Sequence, residues 1–389
     1  MRALVIAPEP FFTPRGTPLS VYHRTAMTAE LDVEVDLLTY GQGRDVDLPG
    51  VRIIRIPAFG FLGEAPAGPS FTKLFLDVFL VIWAVALLAR NRYDLVHAHE
   101  EAIFFCLALK PVFRFRLVYD MHSSLPQQLT NFGFTRSRIL IGVFDWLERR
   151  ALTDSDAIIT ICPDLARYVA SQQVPADRHF LIENSLLDPV RLAAGGDEAS
   201  GPRVGEPPEG ARLVVYAGTL EVYQGIDLML EAASLLSGEL PGLHLLFLGG
   251  TPEQVDHYRG RATELGVDGC CRFVGRVPQE RAREWVARAE LQVSPRIAGT
   301  NTPLKVYEQL ASGVALLATN VYSHTQVLDE EVALLVDPEP RALADGLALA
   351  LGDASLRRGL ADRARARYQE CYSRTHYREK MSALLGSIA

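Results

Sequence analysis

Residues 294–313 read SPRIAGTNTPLKVYEQLASG. The stretch opens as the end of an apolar strand, Leu291–Val293. It passes through a small polar turn, Ala298–Pro303, and continues as a helix that carries Lys305 and Glu308 and closes at Gly313. A strand, a Gly-containing turn and a helix in that order lead unpaired backbone N–H groups to one point, and such points hold anions. Lys305 falls in the first helical turn, where the dipole disfavours a cation, so an anionic ligand is the partner that would compensate it. Glu308 follows three residues later on the same helix face.

The strand–turn–helix pattern spreads in both directions. Toward the N-terminus, apolar runs at Ala3–Ala7, Val33–Thr39, Val51–Ile56, Leu95–Ala98, Leu117–Asp120 and Ala157–Ile161 alternate with helical patterns at Thr17–Leu31, Leu74–Ala89 and Arg138–Leu152. Around the opening stretch, strands at Leu213–Tyr216, Leu243–Leu248, Cys271–Val274, Ala315–Ala318 and Ala333–Val336 alternate with helices at Asp227–Leu236, Pro252–Leu265 and Pro278–Ala289. Such alternation predicts α/β structure with parallel sheets covered on both faces. A chain of 389 residues exceeds one ordinary core. Residues 191–211, rich in Gly, Pro, Ala and Glu, read as a linker between two doubly wound Rossmann-like domains, 1–190 and 212–370. Residues 371–389 are expected to return as a helix onto the first domain.

Composition narrows the partners. Hydrophobic residues at 48% and charged residues at 22% are globular values, and a net charge of −8 leaves no basic surplus for nucleic acid. The five cysteines form no CxxC pair and read as reduced, mostly buried thiols of a cytosolic protein. The opening MRALVIAPEP reads as a first strand, being too short for a signal segment. The segment 74–89, LFLDVFLVIWAVALLA, is shorter than a membrane span and holds Asp77. It is expected to be a buried or half-buried helix. The alternative is contact with a lipid surface, aided by the Phe/Arg cluster Phe113–Arg116.

Doubly wound domains bind ligands beyond the carboxyl ends of their strands. The loops Pro8–Gly16, His97–Glu100, Asp120–Ser124, Gly218–Gly225, Gly249–Thr251 and Arg296–Thr302 are therefore the places to look. Gly16 stands before a helix and permits close backbone approach. His97 and His99 share a strand face, but spacing supplies no regular third and fourth metal ligand. Asp45-Val46-Asp47 and Asp154-Ser155-Asp156 read as turn and cap acids. No G-x-S-x-G elbow is present, which argues against a serine hydrolase.

Taken in order, RGTPLSVYHR, DLVHAH, VYDMHSS, DAIITIC, ENSLLDP, YAGTLEVYQGIDLMLEA, FVGRVP and SPRIAGTNTPLKVYEQLASGVALLAT give the chain a resemblance to the retaining GT-B glycosyltransferases of family 4, the glycosyl transferases group 1. The resemblance covers nearly the whole length. It implies two Rossmann-like domains facing a deep cleft, the second holding a nucleotide-diphosphate sugar. Gly16 would face the donor diphosphate or the acceptor. His122 would contact the transferred sugar, and Glu308 the ribose. Asn301 and Thr302 would contact sugar and diphosphate through their backbone amides. Gly275–Val277, with Arg276, would lie near the base. Gly218, Thr219, Gln224, Thr300 and Leu304 complete the donor side, and Arg15, Thr17 and His99 the acceptor side.

Two departures from the family pattern stand out. The first glutamate of E-x7-E is Thr300, with Glu308 as the second. Where G-R-L-x-x-x-K-G is common, Gly218-Thr219-Leu220-Glu221-Val222-Tyr223-Gln224-Gly225 lacks both cations. A leaving diphosphate needs donors aimed at it, and Lys305, with Arg296 or Arg15, is expected to supply them. The implied chemistry is metal-independent transfer to an acceptor hydroxyl with retained configuration, the diphosphate taking the proton. It would serve polysaccharide, glycolipid or glycoconjugate synthesis in the cytoplasm or at the inner face of the membrane. A sugar-nucleotide-binding protein without transfer activity, and a nucleotide-sugar epimerase of the same fold, are the other readings.

Overall fold

The computed structural model describes residues 1–13, 16–60, 70–124, 138–190, 204–236 and 238–389. Arg15 and residues 191–203 of the expected linker lie outside the described residues. The chain divides into two compact units, Met1–Gly196 with Arg374–Ala389, and Asp197–Ser373.

The first unit carries β1 (Arg2–Ala7), α1 (Gly16–Glu30), β2 (Glu34–Thr39), β3 (Val51–Arg55), α2 (Phe71–Arg90), β4 (Leu95–His99), α3 (Ala102–Phe113), β5 (Arg116–Met121), α4 (Arg138–Asp154), β6 (Ala157–Thr160), α5 (Pro163–Ser171) and β7 (His179–Leu181). The strands pair in parallel in the order β3-β2-β1-β4-β5-β6-β7. Strand order reverses between β1 and β4. There, chain leaves the two carboxyl ends in opposite directions and opens a crevice for ligand. Apolar side chains on both sheet faces form two cores, as parallel strands require.

The second unit carries β8 (Arg212–Ala217), α6 (Ile226–Leu235), β9 (Leu243–Leu248), α7 (Pro252–Glu264), β10 (Cys271–Gly275), α8 (Gln279–Ala287), β11 (Leu291–Ser294), α9 (Lys305–Ala311), β12 (Leu316–Thr319), α10 (Tyr322–Thr325), β13 (Leu334–Val336), α11 (Pro340–Gly352) and α12 (Ala354–Cys371). Its parallel order is β10-β9-β8-β11-β12-β13, so the reversal falls between β8 and β11. The loops after those two strands are Gly218–Gly225 and the opening stretch.

The last helix, α13 (Arg374–Ile388), belongs to the first unit. Tyr377, Met381, Leu384 and Ile388 join the core that holds Val5 and Val35. Lys380 Nζ lies 2.6 Å from Glu183, and Arg374 pairs with Glu30 and Asp188.

Three elements differ from expectation. Helix α3 was not anticipated, because AIFFCLALKPVF is apolar on all sides and carries Pro111, leaving no helical period to detect. Strand β7 is only three residues long. Helix α2 is longer than Leu74–Ala89: Ser70 caps it, accepting from Lys73 N at 3.1 Å. It is half-buried. Leu76, Leu80, Ala84 and Leu88 form a buried stripe at four-residue spacing, while Phe71 (83% exposed), Leu74, Val78 and Ile82 face outward. Among the described residues it is the one helix long and apolar enough to cross a membrane. Its Asp77 is explained by a partner: Tyr40 donates to Asp77 Oδ1 at 2.5 Å, and burial pushes the carboxyl up to about 7.

Candidate active site

In the second unit, β8 ends at Ala217 and the chain turns at Gly218, whose N–H donates to Leu248 O at 2.9 Å. A Cβ on Gly218 would lie 3.0 Å from the Tyr216 hydroxyl and 3.5 Å from Lys305 Nζ, so the residue must be small to leave that space open. Gly225, at φ +74°, ends the loop; a Cβ there would sit 1.9 Å from Pro295 O. The two loops are also tied by Ile297 N donating to Tyr223 O at 3.0 Å.

Lys305 closes this constellation. Its ammonium donates to Gln224 Oε1 at 2.8 Å and to the Tyr216 hydroxyl at 3.4 Å, and lies 4.4 Å from the Tyr216 ring centroid. Tyr216 in turn donates to Thr219 O at 2.6 Å. Arg296 donates to Ala298 O at 2.6 Å and stacks over the Tyr223 ring at 5.0 Å. Neither cation has a carboxylate partner among the described residues. Burial and the nearby Arg296 lower the Lys305 ammonium to about 7. Gln224, which stands where the family pattern has a lysine, therefore receives the Lys305 ammonium as a neutral acceptor.

The helix itself contributes less than its sequence suggested. α9 spans seven residues, from Lys305, with Leu304 at the cap position and no side-chain cap. Two turns align few peptide dipoles, so an anion here would be drawn mainly by the Lys305 and Arg296 side chains. Glu308, one turn along α9, lies 2.9 Å from Arg283 Nη2 and also receives Gln279 Nε2, both from α8. Thr302 keeps its hydroxyl buried with no hydrogen-bond partner among the described residues. Asn301 is partly buried. Thr300 and Thr219 are exposed, and the Thr300 carbonyl accepts from Gln326. Arg276 is exposed in the loop after β10 and is not drawn into this group.

An anion held by Lys305 would require its ammonium to be charged, which gives binding there a pH dependence of definite sign. Below about pH 7 the ammonium is already protonated in the free protein and affinity for a nucleoside diphosphate should be flat. Above it, binding must draw in a proton. Affinity should then fall by up to about tenfold per pH unit, with uptake approaching about one proton per site at pH 8. Calorimetry in buffers of different ionisation enthalpy measures that uptake.

In the first unit, Gly16 is the exposed first residue of α1, with nothing within 4 Å of a built Cβ, and Thr17 follows it, partly buried. The register pairs His99 on β4 with Asp120 on β5, so both point to one sheet face. His97 and His122 join that face two residues before and after. His97 Nε2 lies 3.0 Å from Asp120 Oδ2, His122 Nε2 lies 3.3 Å from Asp120 Oδ1, and His99 Nδ1 lies 3.2 Å from His122 Nε2. Arg24, fully buried on α1, brings Nε within 3.0 Å of Asp120 Oδ2. Burial alone would raise the Asp120 carboxyl, but Arg24, His99 and His122 hold it well below the usual range. His99 is driven well below its ordinary value by burial.

The fold thus supplies the third metal-ligand candidate that spacing did not: His97, His99 and Asp120 place ligand atoms within 4.8 Å of one another. A divalent ion there would share Asp120 Oδ2 with the Arg24 guanidinium, and like charges at that distance repel. The residues fit a hydrogen-bond network better than a metal. Among the DxD acids, Asp45 pairs with Arg55 at 2.7 Å, Asp154 with Arg150 at 2.6 Å, and Asp156 with Lys110 at 2.7 Å. Tyr216, Arg283, Gln279 and Arg24 were not foreseen, because each reaches its partner across elements that only the sheet order brings together.

Two parallel sheets of Rossmann order, each with its polar cluster at the reversal point, define the class: a GT-B glycosyltransferase fold. The chain belongs to glycosyltransferase family 4: residues 16–185 match the Glycosyl transferase 4-like domain and residues 199–367 match Glycosyl transferases group 1. It is similar to the phosphatidyl-myo-inositol mannosyltransferase of Mycolicibacterium smegmatis, 25% identical over 382 residues, covering 94% of this chain and 89% of that protein. Among solved structures it resembles sucrose-phosphate synthase from Thermosynechococcus elongatus, with TM-score 0.75, 21% identity and coverage of 99% and 98% of the two chains. It also resembles Anabaena HepE in complex with UDP, with TM-score 0.73, 15% identity and full coverage of both chains. The protein is a glycosyltransferase of this family.

Proposed function

We propose that the chain moves a hexosyl group from a nucleoside-diphosphate sugar to a hydroxyl of an inositol-bearing, lipid-linked acceptor at a membrane surface. The anomeric configuration is retained and no divalent metal is used. The observation that carries the donor is the pair Lys305 and Arg296. Among the described residues neither is paired with a carboxylate; Lys305 Nζ borders the space that Gly218 leaves open, and Arg296 is near enough to act on the Lys305 ammonium. A diphosphate there neutralises both, and they in turn stabilise the charge that grows as the glycosidic bond breaks. Such side-chain cations do the work a metal does elsewhere. Glu308, held by Arg283 and Gln279, is placed to accept from ribose hydroxyls. The acceptor oxygen attacks from the face the diphosphate leaves, and a diphosphate oxygen takes its proton.

The acceptor class draws on the inositol lipid in the name of the mycobacterial relative. The outward apolar face of α2, with Phe71, Leu74, Val78 and Ile82, supports a membrane surface. The test is incubation with labelled UDP-, GDP- and ADP-sugars and phosphatidylinositol vesicles, with and without EDTA. An α-linked glycolipid formed equally in EDTA is expected. A β-linked product contradicts retention, loss of activity in EDTA contradicts metal independence, and no transfer from any donor contradicts the reading as a whole.

A further inference from the structure

We propose that Cys270 and Cys271 form a vicinal dithiol site that captures a monosubstituted trivalent arsenical by bridging both sulfurs. The pair stands where the turn after α7 enters β10, an edge strand of the second unit's sheet. The two sulfurs lie 4.0 Å apart. Both residues are half-buried, whereas Cys106 and Cys162 are buried. Cys271 lines a cleft of about 480 Å³ bounded by α7 and β10, together with Ala262, Thr263 and Arg272. The backbone fixes the pair before any ligand arrives. Cys270 N donates to Val267 O at 3.0 Å and Cys271 N to Asp268 O at 3.3 Å, while Cys270 O accepts from Leu245 N of β9 at 2.7 Å. Donor atoms carried on backbone held in this way lose little freedom when a ligand bridges them.

Geometry decides what the pair can hold. The peptide bond joining the residues is trans, so their Cα atoms are about 3.8 Å apart. A relaxed disulfide needs roughly 4.4–6.8 Å, so direct S–S closure is disfavoured and the pair stays a dithiol. A bridging atom removes that difficulty. Two bonds of about 2.3 Å, the zinc–thiolate length, span roughly 3.8 Å at a tetrahedral angle, close to the separation of the sulfurs. Zinc itself wants four ligands, and among the described residues no third His, Cys, Asp or Glu ligand atom joins the pair. A monosubstituted arsenical needs only the two thiols, because carbon fills its third valence, and soft sulfur suits a soft partner. The hydrogen bond between the two thiols lowers Cys270 below the ordinary thiol value, which favours its attack. With phenylarsine oxide the step is a condensation. Two As–S bonds form, the As=O bond and two S–H bonds break, and the oxygen leaves with both thiol protons as water. Arsenic remains trivalent and no oxidant is consumed.

The test adds one equivalent of phenylarsine oxide to the folded, full-length protein in excess glutathione, a monothiol competitor. Intact mass under native conditions reads the adduct, and alkylation followed by peptide mapping shows which cysteines it protects. A single adduct protecting Cys270 and Cys271 is expected, resistant to glutathione and removed by the dithiol dimercaptopropanol. Cys270→Ser and Cys271→Ser should each weaken retention against glutathione by roughly 100-fold or more, because the second As–S bond and its intramolecular closure are lost. Cys371→Ser should leave retention unchanged. Failure of any adduct to survive glutathione overturns the proposal, and so does an adduct that protects other cysteines. Mapping on the unaltered protein decides this whether or not the variants fold. Full retention by either the Cys270 or the Cys271 variant overturns it as well. No sugar transfer is measured, so the functional reading can fail without touching this result.

Discussion

Lys305→Ala is expected to cut kcat/KM for sugar transfer by roughly 100- to 1,000-fold, the scale of removing one preorganised donor from a developing anion. The argument begins with what Lys305 lacks. Its ammonium touches a carboxamide and a phenol, Gln224 and Tyr216, and no carboxylate among the described residues. Protein that desolvates a cation without supplying a counter-charge raises its energy, as the drop to about 7 records. A bound diphosphate lowers that energy, and lowers it further as charge accumulates on the leaving oxygen. The interaction thus strengthens along the reaction, which is the condition for an effect on kcat. Folding should respond the other way. Removing an uncompensated cation from Lys305 should leave Tm unchanged or raise it slightly, whereas a structural lysine would lower it. Steady-state kinetics and a melting curve on the same preparation separate the two roles.

Arg24→Ala is expected to destabilise the first unit by about 3–5 kcal/mol, the cost of stranding one member of a buried ion pair. Arg24 and Asp120 are both fully buried, and their closest approach is 3.0 Å. Part of the loss is packing, since Arg24 also lies against Tyr377 and Met381 of α13. Denaturant unfolding should show the shift in the transition assigned to this unit. The double variant Arg24→Met with Asp120→Asn should recover a good part of it, because removing both charges leaves neither unpaired. Equal destabilisation in single and double variants would place the effect in packing alone.

Much of this arrangement was visible in the residues alone. The strands were legible because parallel strands buried on both faces read as short apolar runs, such as Leu243–Leu248, whose bounds match the structure residue for residue. The loops after β8 and β11 were legible through Gly218, Gly225 and the small polar run to Pro303. Helix α3 was not, because its uniform apolarity hides its period. An anion site was expected in part at a helix terminus, but α9 proves to be two turns long, and the cations near it are Lys305 on the helix and Arg296 in the loop before it. The partners of the key residues were illegible for a topological reason. Tyr216 meets Lys305 across 89 positions of sequence, and Arg24 meets Asp120 only because α1 and β5 pack on one sheet face. Spacing along the chain holds no record of such meetings.

Calorimetric titration of the protein and of Lys305→Met with UDP, GDP and ADP, and with the matching monophosphates, tests most directly whether the space above Gly218 is a diphosphate seat. At least one diphosphate should bind the unaltered protein tightly and its monophosphate far more weakly, and Lys305→Met should remove most of that difference. Diphosphates that fail to bind, or that bind equally well without Lys305, would contradict it.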